Sequence, residues 1–367
     1  MRDLIAHCIR DRDWRCRLIS ALGLAVLIVV VIYGRVALSL APAPVRLVVY
    51  AFSTQEEVLT QSIFPAFEAA WEAETGQALT IQGVFGPSEI LAGQINLGAP
   101  ADVALFSSTQ HVTHLKVGRR VRAYTQPVVV AHTPMVIVTR PGNPRAIAAF
   151  SDLAQPGLNL LHADPRTAGA GQWAVLAEYG SALPEAGERA ATGSQGAGDA
   201  SLRSEQAEAQ LEAIWQNVRL LGTSARATMT LFELGAGDAF VTYEHDALLA
   251  QDRGAALEIV VPPQTIVAQH VAVIVDDNVT ASSERRVAEA LLDYLVSEAG
   301  QQALNHYHLR PAAVDGEQLP EIPQAFGADN LGGWSRAYTD LVEGLWQAEI
   351  EPRLYLDSVL RVLDTEE

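Results

Sequence analysis

From Val45 onward, short β-branched runs alternate with longer stretches whose apolar residues recur at helical spacing. No other feature limits the possible folds as much. "VRLVVYAF" reads as a strand, "STQEEVLTQSIFPAFEAAWEAETG" as a helix stopped by Gly76, and "ALTIQGVFG" as a second strand. "PSEILAGQINLG" opens like a helix at Pro87 and Ser88, and "ADVALFSS" is a short buried strand. Such an order implies a parallel, helix-covered sheet in an α/β protein. A second set starts near "TPMVIVTRPGNP". It runs through "LNLLHADP", the helices "GAGQWAVLAEYGSAL" and "EAQLEAIWQNVRLL", and the strand "DAFVTY". Two βα sets joined by extended segments predict two lobes with a cleft between them: 45–131 with 272–367, and 132–271. Residues 184–207, rich in Gly, Ala and Ser, are expected to be an exposed, flexible insertion.

The N-terminus is of another kind. Arg2, Arg10, Arg12, Arg15 and Arg17 precede the apolar run "LISALGLAVLIVVVIY". Extended to residue 40, that run approaches the roughly 20 residues a spanning helix needs. The basic flank of residues 1–17 places the N-terminus in the cytoplasm and the bulk outside. Residues 18–40 are then either a transmembrane anchor or a cleaved signal segment, with Pro42 disfavouring cleavage after "SLA". Both cysteines, Cys8 and Cys16, precede the run, so the exported part has no thiol for a disulfide, a metal or a nucleophile.

A net charge of −18 argues against nucleic acid, whose binding rests on neutralising phosphates with Lys and Arg. It leaves room for a small anion if the site is built from local dipoles. Several strand ends carry small or polar residues: "FSTQ" at 52–55, "GPSE" at 86–89, "TAGAG" at 167–171, "SARATM" at 224–229 and "TYEHDA" at 242–247. In open α/β sheets ligands sit at such strand ends, and the first N–H groups of the following helices attract anions. Each Ser or Gly taken alone reads as an ordinary helix cap, and "TAGAG" is neither a P-loop nor a dinucleotide fingerprint. Catalysis has less support. His132, His162, His245 and His270 are isolated, with no metal-ligand spacing and no nucleophile elbow in the chain. His306 and His308 read as packing or capping near Arg310, and Asp102 and Asp164 as caps or ion-pair partners. No enzyme, cofactor or metal site is expected.

The order of segments resembles the sulfate/thiosulfate-binding proteins of ABC transporters, from about Val45 to near the C-terminus. The stretches that carry the resemblance include "FEAAWEAETG", "GPSEILAGQINLGAPADVALFSS", "DLAQPGLNLLHADPRTAGAGQW" and "RATMTLFELGAGDAFVTYEHDALLA". It implies the two-lobed, type 2 periplasmic-binding-protein fold, each lobe a helix-covered mixed sheet, here with an N-terminal membrane helix. It also implies capture of sulfate or a similar tetrahedral oxyanion by main-chain N–H groups and a few side-chain donors, and delivery to permease subunits. Carried over, the family's binding positions fall on Ser53 or Thr54, on Ser88, on Gly169 and Ala170, and on Ala227. Ala168 stands where a serine is usual, and Tyr243 where a tryptophan is. Ala170 replaces a usual glycine, and Glu89 adds a carboxylate that would repel sulfate or accept a proton from hydrogen phosphate. A membrane-anchored sensor or scaffold on the same fold is the alternative.

Overall fold

The computed structural model describes residues 22–30, 43–183, 197–312 and 322–354. The basic tail, both cysteines, most of the expected membrane segment and residues 184–196 of the expected insertion lie outside the described residues. Two compact units make up the chain: Met1–Val45 with Glu68–Thr80, and Arg46–Phe67 with Ile81–Glu367. In the first, residues 22–30 are helical and exposed. The Val45 N–H donates to the Ala78 carbonyl at 2.9 Å and the Gln77 amide to the Ala43 carbonyl at 2.7 Å. Gly76, at a φ of 66°, closes the helix that ends at Thr75. Among the described residues no helix is long and apolar enough to cross a membrane.

The second unit holds the sheet. Its strands are β1 (Val45–Phe52), β2 (Leu79–Gly86), β3 (Val103–Phe106), β4 (Val128–Thr139), β5 (Leu160–Ala163), β6 (Val218–Gly222), β7 (Ala239–Tyr243), β8 (Glu258–Val260) and β9 (Gln264–Ile274). The order is β2-β1-β3-β9-β4-β7-β5-β6. β1 pairs β3, and β5 pairs both β6 and β7, all parallel, as the strand–helix alternation predicts. β4 and β9 run antiparallel to their neighbours, so the sheet is mixed. These two long strands serve both halves of a two-lobed fold. β4 pairs β9 over Val128–Pro134 and then β7 over Met135–Thr139. The expected lobe boundaries, at 131/132 and 271/272, fall inside them.

The first unit takes most of helix α1 (Phe64–Thr75); in the second, helices cover the sheet: α2 (Ser88–Asn96), α3 (Thr109–Val117), α4 (Gly169–Gly180), α5 (Ala197–Trp215), α6 (Ala225–Glu233) and α7 (Glu244–Asp252). α4 is buried along its whole length, which its mostly apolar sequence allows together with the partners of Gln172 and Glu178. One cluster packs Leu91, Ile95, Phe106 and Val112 beneath α2 and α3. A larger one gathers Trp173, Leu211, Trp215 and Val241 around α4 and α5.

Two expectations need correcting. α5 begins at Ala197, inside the stretch expected to be a flexible insertion, because "SEQAEAQLEAIW" is made of strong helix formers. The C-terminal segment does not stay with β1–β3. Phe326, Leu341, Val342, Leu345, Trp346 and Ile350 pack in the α4–α5 cluster, with the Trp215 and Trp346 rings 5.1 Å apart. Burial of the aromatic stripe from Trp334 to Trp346 outweighs sequence proximity to the strands before it.

Candidate anion-binding site

Six strand ends meet at one small cavity. Ser53 and Thr54 follow β1, Ser88 opens α2, Ser107 follows β3, Gly169 and Ala170 open α4, Ala225 opens α6 and Tyr243 precedes α7; all line it. The cavity measures about 10 Å³ as room for a water-sized sphere, and one water needs roughly 10–15 Å³ on that measure. It takes one compact group and no sugar or amino acid. No charged side chain lines it.

Its polarity comes from helix starts. The caps of α2, α4 and α7 are Pro87, Ala168 and Tyr243, and none supplies a side-chain acceptor to its helix. The Glu89 and His245 N–H groups are taken, by the Thr167 carbonyl and Thr133 Oγ1, which leaves those of Ser88, Gly169 and Ala170 for the cavity, backed by the partial positive charge of the helix ends. Side chains add donors. Ser88 Oγ accepts from the Ser107 N–H at 3.3 Å and shares a hydrogen bond with Ser107 Oγ at 3.1 Å that either hydroxyl can donate, so the pair has one proton left for the cavity. The Tyr243 hydroxyl is buried beside Ser107 without completing a hydrogen bond among the described residues. Burial pushes its phenol well above the usual range, so it stays a neutral donor. A donor-rich, uncharged cavity suits an oxyanion with no proton of its own.

Of the residues singled out by sequence, Ser53, Thr54, Ser88, Ala168, Gly169, Ala170 and Tyr243 come together here, and Ala227 does not. Ser224 caps α6 and its hydroxyl accepts the Ala227 N–H at 3.0 Å, so that amide is taken. Ala225, two residues earlier, opens the helix into the cavity instead. The signal was available: a capping serine claims the third helical amide and leaves the first two free. Ala168 lines the cavity but its N–H donates to the Asp164 carbonyl at 2.9 Å, and it has no hydroxyl to offer. Ser107 was missed, although it stands at a strand end like the others.

Glu89 does not act as expected. Its carboxylate turns to His111 Nε2 at 3.3 Å and His114 Nδ1 at 2.9 Å, and accepts from Gln172 Nε2 at 3.3 Å. Burial would raise its pKa, but hydrogen bonds and charge from the two histidines hold it far below the usual carboxylate range. The hydrogen bond to Glu89 in turn raises His114 against the opposing effect of burial, with Glu343 adding to it. A raised histidine stabilises the fold fully below about pH 6.5 and loses that contribution as pH climbs through its folded value. His114→Gln should therefore lower the urea midpoint at pH 5.5 by more than at pH 9; equal losses would rule out a charged pair.

The two halves touch around the cavity. Arg226 of α6 forms a two-pronged ion pair with Glu57 and donates from Nε to the Ser53 carbonyl at 3.2 Å. The Trp173 indole donates to the Ser107 carbonyl at 2.8 Å, and the Glu89 N–H to the Thr167 carbonyl at 3.2 Å.

Comparison with known proteins points the same way. A family model described as bacterial extracellular solute-binding protein matches residues 47–310. The sulfate-binding protein of Salmonella typhimurium is 31% identical over 290 residues, 75% of this chain and 83% of that protein. The thiosulfate-binding protein of Pseudomonas aeruginosa is 29% identical over 298 residues, 76% of this chain and 84% of that one. Among solved structures, the sulfate-binding protein SubI from Mycobacterium tuberculosis superposes with a TM-score of 0.68 at 21% identity, over 81% of this chain and 99% of SubI.

Proposed function

The chain belongs to the bacterial extracellular solute-binding proteins, and from that premise we propose that it captures sulfate or a similar tetrahedral oxyanion outside the cytoplasm and passes it to an ABC-transporter permease. One observation carries the choice of ligand: uncapped helix starts from both halves converge on a cavity with no charged lining residue. The names of the relatives, sulfate- and thiosulfate-binding proteins, support it. In this reading the N–H groups of Ser53, Thr54, Ser88, Gly169, Ala170 and Ala225 and the hydroxyls of Ser88 and Tyr243 hold the anion. The role is capture and not catalysis. About six charge-assisted bonds at roughly 1.5–3 kcal/mol each have to cover dehydration and lobe closure. About 8 kcal/mol left over suffices for micromolar binding.

The apolar run at residues 18–40, with its arginine flank, supports tethering to the membrane, which would raise the protein's effective concentration near a permease. The two lobes would be 45–131 and 132–271, with β4 and β9 running between them.

Calorimetric titration of the purified full-length protein with sulfate, thiosulfate, phosphate and molybdate at one pH tests the function. Micromolar binding of sulfate or thiosulfate is expected, and silence toward all four from a folded protein would overturn the reading. Ser88→Ala should weaken sulfate by about tenfold or more, the loss of one hydrogen bond to a charged group, with a stability loss of no more than about 1–3 kcal/mol from the Ser107 N–H it leaves unpaired.

A further inference from the structure

Behind the cavity lies a polar chain that no cap or ion pair accounts for. Thr54, Thr133 and His245 are all buried, and they come from the end of β1, the middle of β4 and the first turn of α7. His245 Nε2 lies 3.1 Å from Thr54 Oγ1, and His245 Nδ1 lies 3.3 Å from Thr133 Oγ1. Each atom's role follows from the one before. The His245 backbone N–H donates to Thr133 Oγ1 at 3.4 Å, so that oxygen already accepts. Thr133 is buried and its hydroxyl proton has no other acceptor among the described residues, so it goes to His245 Nδ1. Burial, with the charge of Arg226 adding to it, lowers His245 to about 3, so the ring is neutral and carries one proton. With Nδ1 accepting, that proton sits on Nε2 and points at Thr54 Oγ1. The rings of Tyr243 and His270, 5.5 and 5.3 Å away, box the imidazole in.

Thr54 is thereby committed. Its oxygen receives a hydrogen bond from behind, and its own proton has no acceptor among the described residues except what enters the cavity it lines. A free threonine hydroxyl can rotate and offer either a proton or a lone pair. This one is turned so that it donates forward. We propose that His245 is a specificity-determining positioning residue that holds Thr54 as a donor, so that the cavity takes fully ionised oxyanions and rejects those that carry a proton. The inference rests on the oxyanion reading above and deepens it: the chemical class favoured is sulfate, and the class refused is hydrogen phosphate. No proton is transferred in the relay.

Two measurements test it. The first uses the unaltered full-length protein with ¹⁵N-labelled histidine. The His245 ring should show a protonated Nε2 and an unprotonated Nδ1, and the reverse tautomer would overturn the relay. The second is a double-mutant cycle read as the sulfate-to-phosphate affinity ratio at about pH 8. His245→Leu should lower that ratio by about tenfold, because the freed Thr54 can now accept from hydrogen phosphate. In a Thr54→Val background the same change should move the ratio by less than about twofold, since no hydroxyl remains to be turned. An equal drop in both backgrounds would mean that His245 acts only through packing. If the unaltered protein bound neither anion, the oxyanion reading and the selectivity would fall together, while the ring-nitrogen signals would still decide the direction of the relay.

Discussion

Gly169→Ala should abolish most oxyanion binding while leaving the fold intact. A methyl at this position would run into Ser107 Oγ and sit 3.2 Å from His111 Cε1. Both belong to the β3–α3 half, whereas Gly169 opens α4 on the other. The clash exists only when the halves are together. The variant can fold and relieve it by staying apart, but it cannot close on a ligand. Forcing an extra carbon into a packed contact costs up to about 3 kcal/mol, so affinity should fall by about a hundredfold. Folding stability should stay level or gain up to about 1 kcal/mol, because alanine favours a helix over glycine. Gly171→Ala is the control. Its methyl would meet the backbone of Ala163, and Pro165 N at 2.6 Å, within its own half. That clash cannot be opened away, so stability should drop with affinity. A Gly169→Ala protein that binds sulfate normally would show that closure does not press these groups together.

The second large effect lies in the core. His162 and Glu178 are fully buried, with His162 Nε2 2.5 Å from Glu178 Oε1 and the Trp215 indole donating to Glu178 Oε2 at 2.8 Å. Removing one partner strands the other in a dry interior. His162→Leu should cost about 3–5 kcal/mol of unfolding free energy in urea. Replacing both, as His162→Leu with Glu178→Met, should recover most of the loss, since apolar groups of similar volume substitute well for a buried polar pair. If the double variant is no more stable than the single, the damage comes from cavities and not from a stranded carboxylate.

Much of this was legible in the sequence because it follows from local chemistry. Strand runs, helix spacing and small residues at strand ends single out Ser53, Ser88, Gly169 and Tyr243, and these line one cavity. Register was harder: Ala227 and Ala225 differ by two residues, and only the capping role of Ser224 separates them. Ser107 shares the strand-end signal of the others, but its importance comes from what crosses the cleft to meet it. The same holds for Glu89, read as a charge beside the ligand until His111 and His114 appeared against it. Pairs distant in sequence, such as Arg226 with Glu57 or His245 with Thr54, have no signature short of the fold. The aromatic C-terminal stripe failed for a related reason. Its apolar pattern says that it is buried, but not against which half.

The contacts that join the halves also bear on transport economy. The Arg226–Glu57 pair, the Trp173 indole on Ser107 and the Glu89 N–H on Thr167 are all made by the protein with itself. They favour the shut form whether or not an anion is inside, so the ligand supplies only the remaining bias. A shut form reached without cargo would have a cost downstream. A permease that recognised shutness alone would fire on empty carriers and hydrolyse ATP for nothing. Fidelity then has to come from the small difference a bound anion makes at the cavity itself, and strengthening the clasp would tighten affinity while degrading the signal that cargo is present.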